Sequence, residues 1–235
     1  MTSEAQKAFY KVKRGSTDIL IIKFQGRVIK LLIFLLFTVT LYGSVYPSFT
    51  KNEIFYIQKS AGQEACDRIQ EYDRTISSIK NDSEFIQLTK INNYLNRLKY
   101  QPDGSIDNHS DYWATPKEFL TTGHGDCEDY AIIKYFTLLK LGFEKDKLFI
   151  TIAYDKYSKR DHMVLSYFAQ ADKPPLILDS LSCEVLDLNK RADLEVNAFI
   201  NTNGVYRLSR TKKLRKTRQV SNKFKELLKR VQEES

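Results

Sequence analysis

The stretch from Leu31 to Tyr46 (LLIFLLFTVTLYGSVY) carries no charge and lies between the bases Lys23, Arg27 and Lys30 and the residue Pro47. Its 16 residues fall short of a comfortable transmembrane span and suit the apolar region of a secretory signal. The long leader before it, and Leu41 and Tyr42 two positions upstream of Gly43 and Ser44 where a signal peptidase prefers small residues, suit an uncleaved anchor instead. Bases on one side only orient either form the same way, with residues 1–30 cytoplasmic and the remainder across the membrane.

Beyond this segment the apolar spacing predicts helices over 52–72 and 84–99. The second carries Phe85, Leu88, Ile91, Leu95 and Leu98 at helical intervals after Asn81, Asp82 and Ser83 as start signals. A polar loop containing Pro102, Asp103, Gly104, Asp107 and Asn108 precedes Trp113, Pro116 and the stretch from Gly123 to Gly125. A further helix is predicted from Cys127 to about Leu141, with Ala131, Ile132, Tyr135, Leu138 and Leu139 on its apolar face and Gly142 as its stop. The period then drops to two. Leu148–Tyr154, His162–Phe168 and Leu176–Leu178 read as antiparallel strands, with Val205–Leu208 as a further candidate. Helices followed by strands make an α+β domain, placed over 50–208. Leu214, Phe224, Leu227, Leu228 and Val231, set among many bases, predict a helical tail over 209–235 that suits a membrane, a partner or solvent.

Charge divides the 235-residue chain in the same places. The net charge of +8 comes from the ends: residues 1–30 carry seven bases and two acids, and residues 209–235 carry ten bases and three acids. The middle holds 20 bases against 24 acids, so the basic balance is no argument that the core domain binds nucleic acid. With 42% hydrophobic residues the chain can build a full core, which excludes a wholly disordered protein.

Three cysteines, Cys66, Cys127 and Cys183, cannot all pair, and none lies in a zinc-type cluster. Cys66 and Cys183 are candidates for a disulfide or for separate thiols. Cys127 follows Asp126, a predicted N-cap with Asp129 as its capping-box partner, and so sits at the first helical position. A helix start lowers a thiol pKa and offers backbone N–H groups to an oxyanion. His162 begins one predicted strand and Asp179 ends the next, so a sheet packed on the Cys127 helix can assemble a nucleophile, a base and an orienter. His124 lies on a tight glycine turn too close to Cys127 to serve as the base, and His109 sits in a polar loop. Trp113 is core or contact.

The runs Asp111-Tyr112-Trp113-Ala114-Thr115-Pro116, Gly125-Asp126-Cys127-Glu128-Asp129-Tyr130-Ala131, His162-Met163-Val164-Leu165 and Leu178-Asp179 resemble the bacterial transglutaminase-like cysteine peptidases, and among them the LapG-type proteases. Arg191 and Asp193 fall where that family carries an R-x-D motif; Leu194 and Ser180 depart from the aromatic and Asn common beside the motif and the catalytic Asp. The resemblance implies a papain-like transglutaminase core and a periplasmic, calcium-dependent endopeptidase with Cys127, His162 and Asp179 as its triad. It further implies that Asp126, Glu128 and Asp129 hold Ca2+, although first-turn acids also simply satisfy a helix dipole. The expected substrate is the N-terminal retention region of a large repeat adhesin, cut at a di-alanine to release it and disperse biofilm. The expected regulator is a LapD-type cyclic-di-GMP receptor at the inner membrane. Thioester chemistry also supports acyl transfer to an amine, and the fold could serve as a non-catalytic adhesin- or receptor-binding module.

Overall fold

The structure is a computed structural model that describes residues 47–101, 112–209 and 213–235. The segment Leu31–Tyr46 with its expected membrane insertion, and His109, lie outside the described residues. Among the described residues no helix is long and apolar enough to cross a membrane.

Helix α1, Lys51–Ala61, starts from a capping box in which Thr50 and Glu53 bond each other's backbone N–H. It ends at Gly62, whose φ of 84° only glycine adopts without strain, and α2, Gln63–Ile79, begins immediately after. The single helix expected over 52–72 is therefore two, because Gly62 breaks it, and the second runs past the expected end. Helix α3 spans Glu84–Leu95, followed by β1, Lys99–Tyr100. Helix α4, Pro116–Thr122, is fixed at its start by Pro116 and a Thr115/Glu118 capping box, and β2 is His124–Gly125. Helix α5, Cys127–Lys140, follows. It is buried almost all round, because α3 and α4 pack on it from one side and the main sheet from the other.

Seven strands form that sheet: β3 Leu148–Asp155, β4 Arg160–Tyr167, β5 Leu176–Leu178, β6 Leu186–Asp187, β7 Leu194–Asn201, β8 Gly204–Leu208 and β9 Leu214–Arg218. Their order is β6-β5-β4-β3-β7-β8-β9, antiparallel throughout. Ala153, Val164, Ile177 and Leu194 form one apolar cluster on the sheet, and Phe149, Phe168 and Phe199 form another. The expected α+β architecture, a nucleophile-bearing helix against an antiparallel sheet, is thus present. Strands β6, β7 and β9 are additions to it.

The basic tail differs from its expectation. Its first part is strand β9, paired to β8, and its second part is α6, Asn222–Glu233. Phe224, Leu227 and Val231 of α6 are buried, and the Phe224 ring meets Tyr135 of α5 edge-on at 6.0 Å. That apolar face is spent on the domain's own core rather than on a membrane or a partner.

Candidate active site

Strand β1 pairs in parallel with β2, setting Tyr100 beside Gly125, and Gln101 N–H donates to Gly125 O at 2.8 Å. This bridge fixes the approach to α5. A Cβ on Gly125 would stand 2.6 Å from Asp129 Oδ2 and 2.9 Å from the Phe119 ring, so the turn needs glycine for space. Asp129 reaches back to the turn: its Oδ2 accepts the Asp126 N–H at 3.3 Å, and its Oδ1 accepts the Ala114 N–H at 2.7 Å. Cys127 therefore occupies the first position of a helix whose entry is held at two backbone points.

Helix α6 braces the same turn from outside. Arg230 donates through Nη2 to the Trp113 carbonyl at 2.5 Å and through Nη1 to Glu118 Oε2 at 3.2 Å and to the Tyr112 hydroxyl. Thr115 Oγ1 donates to Glu234 Oε1 at 2.8 Å, and Lys117 Nζ donates to Glu234 O at 2.6 Å. Trp113 is buried, with the Lys223 ammonium 4.7 Å above its ring, so it is a core residue of the brace.

His162 and Asp179 meet across β4 and the end of β5. His162 Nε2 lies 2.7 Å from Asp179 Oδ1, with His162 7% and Asp179 0% exposed. The Leu181 N–H also donates to Oδ1 at 2.9 Å, and Arg191 Nη2 donates to Oδ2 at 2.7 Å. Burial alone would push the Asp179 carboxyl up. Its bonds to His162, Leu181 and Arg191, and the facing imidazole, hold it well below the usual carboxylate range. Arg191 is itself anchored by Asp193, at 2.6 Å and 3.0 Å. The R-x-D pair thus reaches Asp179 directly through Arg191.

The Cys127 thiol is half-buried and donates to Glu128 Oε2 at 3.1 Å. Burial, the Glu128 carboxylate and Asp126 push the thiol up, while the backbone N–H of Met163, next to His162, pulls it down. Ligand atoms of Asp126, Cys127 and Glu128 all lie within 4.8 Å of one another. Two carboxylates flanking one sulfur match an oxygen-seeking divalent cation better than a thiophilic one. Asp129, the third acid expected there, stands outside that group with both oxygens on backbone N–H. His124 is half-buried in β2. Cys66 is buried in α2 with its thiol 3.6 Å from Ile54 O, and Cys183 is exposed, so these two are separate thiols and not a disulfide.

Residues 54–197 match the family described as bacterial transglutaminase-like cysteine proteinase, BTLCP. Among solved structures the chain is similar to Legionella pneumophila LapG in a calcium-bound form, at 37% identity over 75% of this chain and 98% of that chain, with a TM-score of 0.63. An EGTA-treated form of the same protein gives 35% identity over 76% and 97%, with a TM-score of 0.65. A further structure of it gives 34% identity over 79% and 98%, with a TM-score of 0.66. No curated protein matches significantly.

Proposed function

Because the chain belongs to the bacterial transglutaminase-like cysteine proteinases, we propose that it is a calcium-dependent periplasmic endopeptidase that cleaves the N-terminal retention region of a large surface adhesin. Release of the adhesin disperses biofilm, and a LapD-type cyclic-di-GMP receptor at the inner membrane restrains the enzyme. The catalytic part is carried by one observation: the 2.7 Å bond between His162 Nε2 and buried Asp179, on the sheet that packs against the Cys127 helix.

In this reading the Cys127 proton passes to His162, and the sulfur attacks the scissile carbonyl carbon. The carbonyl oxygen becomes an oxyanion, and N–H groups at the start of α5 stabilise it. When it collapses, the C–N bond breaks and His162 returns its proton to the leaving amine. A water molecule, deprotonated by His162, then attacks the acyl-thioester; the C–S bond breaks, and the thiol and the free carboxyl end are regenerated. Asp179 holds the imidazole in place throughout, and Arg191 holds Asp179.

Asp126 and Glu128 hold calcium in this reading, which is supported by their clustered carboxylates and by the calcium-bound form of the Legionella protein. Calcium bound there supplies positive charge that offsets the carboxylates' bias against a thiolate. Asp129 keeps the turn in shape beside it.

The test is cleavage of recombinant adhesin N-terminal fragments carrying a di-alanine by the purified protein, with calcium or with chelator. Calcium-dependent cuts that vanish in Cys127→Ala support the proposal. Amine incorporation that outruns hydrolysis points to an acyltransferase, and an unreactive Cys127 with intact fragment binding points to a binding module.

A further inference from the structure

Three consecutive residues ahead of α4 are each held by a different part of the chain. The Trp113 carbonyl accepts from Arg230 Nη2 at 2.5 Å, the Ala114 N–H donates to Asp129 Oδ1 at 2.7 Å, and the Thr115 N–H donates to Glu118 Oε2 at 2.7 Å. Of these three bonds, the middle one leads to the nucleophile. Asp129 lies in the first turn of α5, two residues after Cys127, and is buried. Its bond to Ala114 is much shorter than its 3.3 Å bond to the Asp126 N–H, so Ala114 places the carboxylate more firmly than the start of its own helix does. Asp129 also fills the space that a Gly125 side chain would take, with Oδ2 2.6 Å and Cβ 2.8 Å from that point. A displaced Asp129 therefore disturbs the turn that leads into Cys127.

Arg230 grips this segment on both sides of Ala114. Nη2 holds the Trp113 carbonyl directly, while Nη1 reaches Glu118 Oε2 at 3.2 Å, the same oxygen that accepts the Thr115 N–H. The guanidinium carbon also stands 4.6 Å from the centre of the Tyr112 ring. A planar fork of this kind fixes an orientation as well as a distance, which a lysine ammonium does not. The bland role for Arg230 is to seat α6 on the domain. That role is already filled, because Phe224, Leu227 and Val231 bury the apolar face of the helix. Arg230 also lies beyond residues 54–197, which match the family, so the grip is supplied from outside the matched region.

We propose that Arg230 is a positioning residue of the active site: by fixing the peptide groups on either side of Ala114, it sets Asp129 and, through Asp129, the start of α5 that carries Cys127. Arg230 touches neither substrate nor the reacting sulfur. Its loss lets the N–H groups at the start of α5 drift from the developing oxyanion, which slows the chemical step and leaves substrate binding intact. This role rests on the assignment of Cys127 as the nucleophile.

The full-length chain is compared as wild type, Arg230→Met, Arg230→Lys and Lys229→Met, with calcium present and well below the melting range. Lys229 is exposed on the same helix and pairs with Glu233 at 3.5 Å, so its variant controls for the loss of one charge from α6. Arg230→Met is expected to lower kcat on the di-alanine fragment about tenfold with KM unchanged, Arg230→Lys to fall between it and wild type, and Lys229→Met to stay within about twofold of wild type. Amide hydrogen exchange at Ala114 and Asp126 should quicken about tenfold in Arg230→Met while the amides of Phe224, Leu227 and Val231 keep their protection. Should Arg230→Met fail to fold, Arg230→Lys carries the test with a loss in kcat of about threefold. A kcat within about twofold of wild type in the Arg230 variant tested, an equal loss in Lys229→Met, or exchange at Ala114 that rises only in step with α6 overturns the proposal. A wild type that cuts nothing overturns the function proposed above, and the link is then read from alkylation of Cys127 relative to exposed Cys183 by iodoacetamide. A ratio shifted about threefold or more in Arg230→Met alone supports it, and an unshifted ratio overturns it.

Discussion

His162 turns Nε2 to Asp179 Oδ1 at 2.7 Å, which leaves Nδ1 as the ring atom for the cysteine proton. In the proposed mechanism the carboxylate orients the ring, and its removal should be read in turnover. Asp179→Asn is expected to lower kcat about 10³-fold or more with little change in KM, by analogy with other triads. Cys127→Ala should abolish cleavage while its circular dichroism and melting curve match wild type. A Cys127→Ala protein that still cuts peptide would remove Cys127 from the mechanism.

Arg191 bonds Asp179 and Asp193 together, and its loss should expose how much of the site depends on pairing a buried charge. Arg191→Met is expected to cost about 3 kcal/mol or more of stability, because Asp179 loses its cation inside the domain. The sign with pH follows from the Asp179 carboxyl being depressed in the fold, from 3.8. Its stabilising contribution is complete above that value and is lost as pH falls through the lower, folded one. The variant should therefore unfold at a higher pH than wild type in an acid titration followed by fluorescence. Equal acid midpoints would assign the pairing no energetic role.

Gly125 has no space for a methyl group beside Asp129 and Phe119. Gly125→Ala should push Asp129 off its backbone partners, cost about 1–3 kcal/mol, and slow turnover further than that loss of stability explains. Thermal melts and rates measured well below the melting range separate the two effects.

The thiol of Cys127 donates to Glu128 at 3.1 Å, so the Glu128 carboxylate favours the protonated thiol over the thiolate. Chelation is expected to silence the wild type and calcium to restore it. Asp126→Ala and Glu128→Ala should require more calcium or stay slow at saturation. Rates that ignore chelator would reduce these acids to helix-dipole partners.

Cys66 and Cys183 lie apart as thiols, one buried and one exposed. Reductant should leave the melting temperature unchanged. A thiol reagent should modify Cys183 in the native protein and reach Cys66 only on unfolding, as mass spectrometry of the labelled peptides would show.

The candidate site is legible in the chain because its parts are local: Asp126 starts a helix, Cys127 follows it, and the apolar runs Met163–Leu165 and Leu176–Leu178 adjoin His162 and Asp179. Strand β7 is not legible, for a physical reason. Its register against β3 slips between Ile152 and Ala153, so Leu194, Val196 and Phe199 share a face although their spacing is two and then three. That bulge removes the period by which a strand is recognised. Gly62 likewise hides a break inside an apolar pattern that looks continuous. Lys134 reads as an ordinary polar position on α5, since nothing in its neighbours announces that it is fully buried. The amphipathic face of α6 is plain in the sequence, but what covers it is decided by Tyr135, some ninety residues earlier.

The brace from α6 carries a consequence for how the enzyme matures. Arg230 holds the Trp113 carbonyl and Glu234 the Thr115 hydroxyl, and the segment between them presents the Ala114 N–H to Asp129, two residues from Cys127. A nascent chain that has emerged as far as β7 already contains Cys127, His162, Asp179 and Arg191, yet lacks the support that sets the nucleophile turn. Partly made or prematurely terminated chains would thus carry every reactive group and remain poor proteases. Readiness of the site thus waits on the synthesis of α6, more than a hundred residues after the turn it supports.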